Sequence, residues 1–278
     1  MSGTKQLVVN ADDFGFTRDV NQGIVEAHRR GILTATTLMA NGDAFADAVR
    51  LARENPGLDT GAHLVLIGGR SLLPPHAPLP SGIPQLLASI AARRLRIYDE
   101  LQAQVRRILD AGIVLSHLDT HKHTHLAPPV LDAVGRISEE FGIRWVRRPF
   151  DLPLTAARAR ASNWKRATSG GIGLARARFH RTLKKYQCRT TDHFAGFQIT
   201  GQFRTAELSA LIRALPEGST ELMCHPGRCS DELRAARTRL KESREQELAA
   251  LTAPETRRAL EESGVELVDY RVLDQRWR

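Results

Sequence analysis

The segment Ile113-Val-Leu-Ser-His117-Leu-Asp119-Thr-His121-Lys-His123-Thr-His125 runs from a short apolar stretch into four histidines and an aspartate at alternating positions. In a β-strand every second side chain points to the same face, so at least part of this set converges on one point. Imidazoles and carboxylates gathered in that way are ligands for a transition metal. A solvated histidine-rich turn would not normally follow an apolar run, and an affinity tag would sit at a terminus without the alternation.

Two further elements have the same form. Leu7-Val-Val9 leads into Asn10-Ala-Asp12-Asp13-Phe-Gly15, where adjacent acids close a short strand that runs into a helix. Neighbouring residues of a strand face opposite ways unless the chain turns, and Gly15 predicts a turn. Taken alone, the pair reads as a helix cap with a solvated neighbour. Gly61-Ala-His63-Leu also follows a predicted strand, where a lone histidine reads as a hydrogen-bonded core residue. Chemistry at the ends of three different strands points to a parallel sheet, which places its functional groups at the carboxyl ends of its strands.

Working outward, a helix is predicted over 17–30, with Val20, Ile24 and Ala27 on one face and Gly31 past its end. Asp43 is placed to cap a helix carrying Phe45, Ala48, Val49 and Ala52. Further helices are expected over 97–111, 128–141, 206–215 and 231–262, and strands over 36–40, 59–66, 143–146, 191–200, 221–224 and 265–268. The Pro-rich connection over 68–84 reads as a lid or rim of a pocket. About seven strands separated mostly by helices make one α/β, barrel-like domain spanning 1–278.

With 42% hydrophobic and 26% charged residues, neither a disordered nor a fibrous class is indicated. No apolar run approaches the roughly 18 residues that span a bilayer, and the N-terminal stretch lacks a secretory pattern, which predicts a cytoplasmic protein. Cys188, Cys224 and Cys229 lack paired metal-finger spacing and read as free thiols. The formal charge of +9 is local: between Asp151 and Asp192 there is no acid, while ten Lys and Arg lie between Arg158 and Arg189. Taking those ten from the 40 basic residues leaves 30 against 31 acids.

One aspartate and two histidines around a divalent cation leave positions open for water and substrate, as a hydrolytic site requires. A neighbouring carboxylate that is not a ligand can take the water's proton, which divides Asp12 and Asp13 between base and ligand. His225, held by Pro226-Gly227 at the end of a later predicted strand, is a candidate acid for an amine leaving group. Spacing alone leaves open which of His117, His121, His123 and His125 binds metal. Two imidazoles favour zinc, while magnesium, manganese, cobalt and nickel accept the same ligands.

Together, the Asn10–Gly15 motif, Gly61-Ala-His63-Leu64, the His117–His125 run and His225-Pro-Gly227 resemble the YdjC-like carbohydrate deacetylases, relatives of the chitooligosaccharide deacetylase. The resemblance covers most of the chain in order and spacing. It implies a distorted (β/α) barrel related to polysaccharide-deacetylase barrels, and metal-dependent removal of an acetyl group from an N-acetyl sugar. Carried onto matching positions, it makes Asp13, His63 and His121 the ligands, Asp12 the general base and His225 the general acid. It leaves His117, Asp119, His123 and His125 to orient the ligands or face the substrate.

Through Arg147-Arg148-Pro149-Phe150 and the segment from Thr191 to Gly201, the chain is most similar to the hopanoid biosynthesis-associated branch. That likeness implies an N-acetylglucosaminyl hopanoid glycolipid as substrate and sets Arg148 among the groups near it; soluble chitooligosaccharides or other N-acetyl sugars are the alternative. A basic insertion at about 152–191 departs from relatives that act on soluble sugars. With Trp164, Phe179, Leu183 and Tyr186 interleaved, its 158–189 portion is expected either to rest on an anionic leaflet at the inner face of the membrane or to be a solvated helical face. The chain is compatible with a homo-oligomer. A nucleic-acid binder would use the same charges, but 5% aromatic residues and no recognised binding motif weigh against it. A two-metal phosphoesterase would need more carboxylates than the motifs supply.

Overall fold

Lys5–Phe14 forms β1, whose last eight residues are all buried, the burial that a central parallel strand requires. The computed structural model describes residues 4–152 and 176–277. On one edge β1 pairs along Lys5–Ala11 with β7 (Gly218–Cys224). Its other edge is divided: Asn10–Phe14 pairs with β2 (Ala35–Leu38), and Lys5–Leu7 pairs with β8 (Val265–Leu267). The sheet continues through β3 (Asp59–Leu64), β4 (His117–Thr120) and β5 (Trp145–Val146), and ends beyond β7 at β6 (His193–Ala195). Every ladder is parallel.

The two sheet ends curl back onto each other. Val146 N donates to Arg189 O at 2.9 Å, Arg189 N to Arg144 O at 2.7 Å and Leu152 N to Phe194 O at 2.7 Å. These are isolated bridges in place of a continuous ladder, so the sheet forms the distorted barrel expected, with eight strands among the described residues against the expected number of about seven. β8, at the strand expected over 265–268, lies beside the amino-terminal half of β1, below β2.

Helices cover the barrel. In α1 (Arg18–Arg30), Thr17 Oγ1 accepts from Val20 N at 3.2 Å as the cap, and Val20, Ile24 and Ala27 are buried as the periodicity predicts. The helix α2 (Phe45–Glu54) starts from Ala44 and not from Asp43. Ala44 N bonds Gly15 O at 2.9 Å, and the backbone so tethered leaves Asp43 exposed. Then follow α3 (Ile83–Ala91), α4 (Ile97–Asp110) and α5 (Pro128–Phe141). After α6 (Arg176–Lys185) and α7 (Thr205–Arg213), the long polar helix expected over 231–262 is three: α8 (Asp231–Ala235), α9 (Glu242–Thr252) and α10 (Pro254–Ser263). Pro254 cannot continue the α9 ladder because it has no N–H. The last helix is α11 (Tyr270–Trp277).

Two other expectations change. The strand predicted over 191–200 is three residues long, because the Asp151 carboxylate takes Phe197 N at 3.2 Å and Gln198 N at 2.8 Å. Most of the basic insertion, including Trp164, lies outside the described residues. In its described part Phe179, Leu183 and Tyr186 are buried in the protein, while Arg178, Arg181, Lys184 and Lys185 are exposed. Those three apolar side chains are therefore core residues, unavailable to a leaflet; each contributes about 1.5–3 kcal/mol by burial.

Candidate metal centre

The site opens at the carboxyl ends of β1, β3, β4, β5 and β7. Between β1 and β2 the register runs Ala11↔Thr36 and then Phe14↔Leu38, so β1 holds one extra residue there. Asp13 takes up the surplus with φ 70°, in the left-handed region. This bulge brings the Asp12 and Asp13 carboxylates both beside His63, where a regular strand would send them to opposite faces. The predicted turn thus begins two residues before Gly15. For a non-glycine residue the conformation costs about 1–2 kcal/mol.

The histidine run is only partly a strand. β4 ends at Thr120, and His121–Leu126 is a 3-10 turn in which Lys122 and His123 have φ 56° and 51°. His121, first in the turn, stays at the opening. His123 turns its ring toward Phe194 and Phe197, with centroids 5.8 and 5.4 Å away. His125 bonds Thr120 Oγ1 at 2.5 Å through Nδ1 and lies against Phe179. Among the described residues neither ring hydrogen-bonds to Asp13, His63 or His121. His117 is stacked on Tyr270 at 4.0 Å, with Nε2 3.0 Å from Asn10 Oδ1 and Nδ1 2.7 Å from Ser116 Oγ. Burial pushes its pKa down to about 3, so it fills the interior as a neutral ring. A Cβ at Gly61 would lie 2.6 Å from that ring, which is why β3 carries glycine there.

Asp13, His63 and His121 meet. His63 Nε2 lies 3.4 Å and His121 Nδ1 3.3 Å from Asp13 Oδ1, and the two nitrogens are 3.2 Å apart. With metal–ligand bonds of about 2.1 Å, tetrahedral ligand atoms sit roughly 3.4 Å from each other. Among the described residues Asp13 Oδ1 is buried without a hydrogen-bond partner, and its other oxygen is held by Arg244 Nη2 at 2.5 Å. The donor set therefore fits a divalent cation. Asp12, His63 and Asp119 are also close together, but Arg147 occupies that side. Its Nη1 and Nη2 bind Asp12 at 2.7 and 2.6 Å, Nη1 reaches Asp119 Oδ2 at 2.5 Å, and Nε binds Glu221 at 2.7 Å. A second cation would meet that guanidinium.

Asp119 orients His63. Its Oδ1 is 2.7 Å from His63 Nδ1, with Thr37 Oγ1 also 3.1 Å from that nitrogen, so Nε2 faces Asp13. Burial alone would depress His63, but Asp119, Asp13 and Asp12 override it and push the imidazole up to about 10. Burial raises Asp12 above the usual carboxylate range even against Arg147, and Asp119 pushes the same way. Against burial, Arg244 with His121 and His63 holds Asp13 well below that range. Five buried carboxyl groups, Asp12, Asp13, Asp119, Glu221 and Glu247, outnumber the two buried guanidiniums, Arg147 and Arg244, an acidic surplus that favours a bound cation.

His225 stands at the far side of Asp12, its Nε2 3.9 Å from Asp12 Oδ2. Burial, opposed by Asp13 and helped by Arg244, pushes it down to about 3, so it is a neutral imidazole. Glu247 fixes the loop by accepting from His225 N at 2.6 Å and Gly201 N at 2.7 Å. Behind it Gly227 touches α1 so closely that a Cβ on Gly23 would lie 2.3 Å from Gly227 Cα. Arg148 reaches the Asp192 main-chain carbonyl in place of the cluster.

Sequence reasoning did not single out Arg147, Glu221, Arg244, Glu247 or Thr37 as site groups. Arg147 follows β5 directly, in the position that marked the other site residues, so the same rule could have found it. Arg244 and Glu247 carried no signal: in a charged helix they read as solvated, yet each is 1% exposed.

A profile for YdjC-like proteins matches residues 6–262. The chain is 33% identical over 276 residues to a carbohydrate deacetylase of Geobacillus stearothermophilus, covering 96% of this chain and 97% of that one. It is 31% identical over 280 residues to a carbohydrate deacetylase of Brevibacillus brevis, covering 95% and 98%. A crystal structure of a putative cellobiose-phosphate cleavage protein from Enterococcus faecalis is similar at a TM-score of 0.75 and 26% identity, over 97% of this chain and 99% of that one. A lactam utilization protein from Thermus thermophilus shares the fold at a TM-score of 0.50 and 15% identity, over 94% and 98%.

Proposed function

The chain belongs to the family of YdjC-like proteins, and on that premise we propose that it is a carbohydrate N-deacetylase, hydrolysing the acetamide of an N-acetylated sugar with one divalent cation. The observation that carries this reading is the triangle of Asp13, His63 and His121 beside Asp12, a carboxylate that is not part of it. When bound, the cation, zinc first among the candidates, would lower the pKa of a water and polarise the amide carbonyl. Asp13 Oδ1, His63 Nε2 and His121 Nδ1 would hold it.

The remaining steps belong to the protein. Asp12, made more basic by burial, accepts the proton of the attacking water, and Arg147 fixes its direction. His225 hands a proton to the departing amine nitrogen. Being neutral, it must first receive one, and Asp12 Oδ2 at 3.9 Å is the nearest source. One proton then passes from water to Asp12, to His225 and to the amine nitrogen as the C–N bond breaks, while the other stays on the attacking oxygen; the products are acetic acid and the free amine, which ionise in water to acetate and an ammonium sugar.

For the substrate we put forward the N-acetylglucosaminyl group of a hopanoid glycolipid, supported by the likeness carried in Arg147–Phe150 and in the segment from Thr191 to Gly201. Soluble chitooligosaccharides are the second reading, favoured by the curated relatives named carbohydrate deacetylase. Acetate release from an N-acetylglucosaminyl lipid and from diacetylchitobiose, each with and without added metal, tests both. Release from neither would end the deacetylase reading.

A further inference from the structure

The helix α3, Ile83-Pro-Gln-Leu-Leu-Ala-Ser-Ile-Ala91, contains no charged residue, and Leu86 is the only one of its nine that is buried. Ile83 is 41% and Leu87 51% exposed, and their spacing puts them on one face. A surface helix of a soluble protein normally turns a charged face to water, and this one has none to turn. Directly after it come Arg93, Arg94 and Arg96, all exposed. Between Asp59 and Asp99 the chain has no acid at all, while it has Arg70 and these three arginines. Arg96 pairs with Asp99 at 2.7 Å; among the described residues Arg93 and Arg94 carry no ion pair.

This segment belongs to the site end of the barrel. It leaves the carboxyl end of β3 just after His63 and Leu64. Gln104 in α4 brackets Val65, accepting from its N and donating to its O at 2.8 Å each. Glu100 in the first turn of α4 accepts from Ser71 Oγ at 2.5 Å and Leu72 N at 3.1 Å. The start of α4 is thereby fixed beside the opening, and the arginines just before it stand on the same rim.

We propose that α3 and Arg93, Arg94 and Arg96 form a docking surface for an anionic lipid bilayer. Ile83 and Leu87 enter the boundary between headgroups and acyl chains, and the guanidiniums meet lipid phosphates. A second copy of the chain fits less well, because a two-fold contact through α3 would bring two sets of arginines together on a chain of charge +9. Docking would turn the mouth holding His63 and His121 toward the leaflet. Only that last consequence, access to a sugar on a membrane-embedded anchor, rests on the proposed deacetylase activity.

Co-sedimentation with vesicles tests the surface, using phosphatidylcholine alone and phosphatidylcholine mixed with phosphatidylglycerol. The wild-type protein is expected to pellet with the mixed vesicles, to be released by salt, and to stay in solution with phosphatidylcholine alone. Leu87→Glu, and Arg93→Ser combined with Arg94→Ser, are each expected to lower partitioning at least about tenfold. Both alter exposed side chains, so thermal melting and acetate release from a soluble N-acetyl sugar should match wild type. If wild type shows no such release, the deacetylase reading fails while the vesicle result still decides the surface. Wild type left in solution with the mixed vesicles would overturn the proposal. So would Leu87→Glu pelleting as wild type does, or a dimer in sedimentation velocity that Leu87→Glu dissolves.

Discussion

Arg147 grips Asp12 with both terminal nitrogens, at 2.7 and 2.6 Å, deep inside the barrel. The same guanidinium reaches Asp119 and Glu221, so one side chain sets the proposed base, the carboxylate behind His63 and a buried acid of β7. Lysine offers a point charge without the fork. Arg147→Lys should therefore lower kcat by about 100-fold, through misplacement of Asp12, at unchanged metal content. Arg147→Ala leaves three buried carboxyl groups without their counter-charge and should lose on the order of 3–5 kcal/mol in urea unfolding.

Asp12→Asn keeps the size of the side chain and removes the proton acceptor. Turnover should fall by about 10²–10⁴-fold. Elemental analysis should still find one metal per chain. A variant that lost its metal would make Asp12 a ligand and hand the role of base to another group.

In the proposed centre Asp119 would act on the cation through His63, whose Nδ1 it holds at 2.7 Å. Asp119→Asn should weaken metal affinity by about 10–100-fold, measured by competition with a chromogenic chelator. His121→Ala removes a proposed ligand whose side chain is 25% exposed, so metal should be lost with little change in thermal melting. Chelator-treated wild type should lose activity and regain it on addition of a divalent cation.

Asp59 gives stability a pH dependence of defined sign. Burial, with Asp269 nearby, pushes its carboxyl up to about 6. The folded protein thus holds this proton more tightly than the unfolded chain, which releases it near pH 4. Stability from this group is fully present below about pH 4 and is lost as the pH rises to about 6, on the order of 3 kcal/mol in all. Asp59→Asn should gain on wild type as the pH rises from 4 to 7, in melts compared at each pH. Equal slopes for the two proteins would contradict the assignment.

What could be read beforehand was set by short-range rules. Leu7-Val-Val9 is apolar on both faces because β1 is central, and His63 and Asp119 were marked by their places at strand ends. The fate of His123 and His125 could not be read, because two consecutive left-handed residues, Lys122 and His123, end the alternation without a glycine to announce it. Phe179, Leu183 and Tyr186 looked like a membrane face only because their basic neighbours dominate the composition; burial separates the two sets. Arg244 was hidden for a different reason. Its partner Asp13 lies 231 positions away, and no local pattern reports a pairing of that range.

The divided edge of β1 bears on how the chain assembles. Leu7 bonds to Val268, so the lower half of that edge stays open until residues some 260 positions further on arrive to close it. Until then an apolar strand presents unpaired amides to any neighbouring chain, a template for aggregation. Pairing across that sequence separation is slow, so capture of the β8 segment is the step at which refolding should be most sensitive to protein concentration.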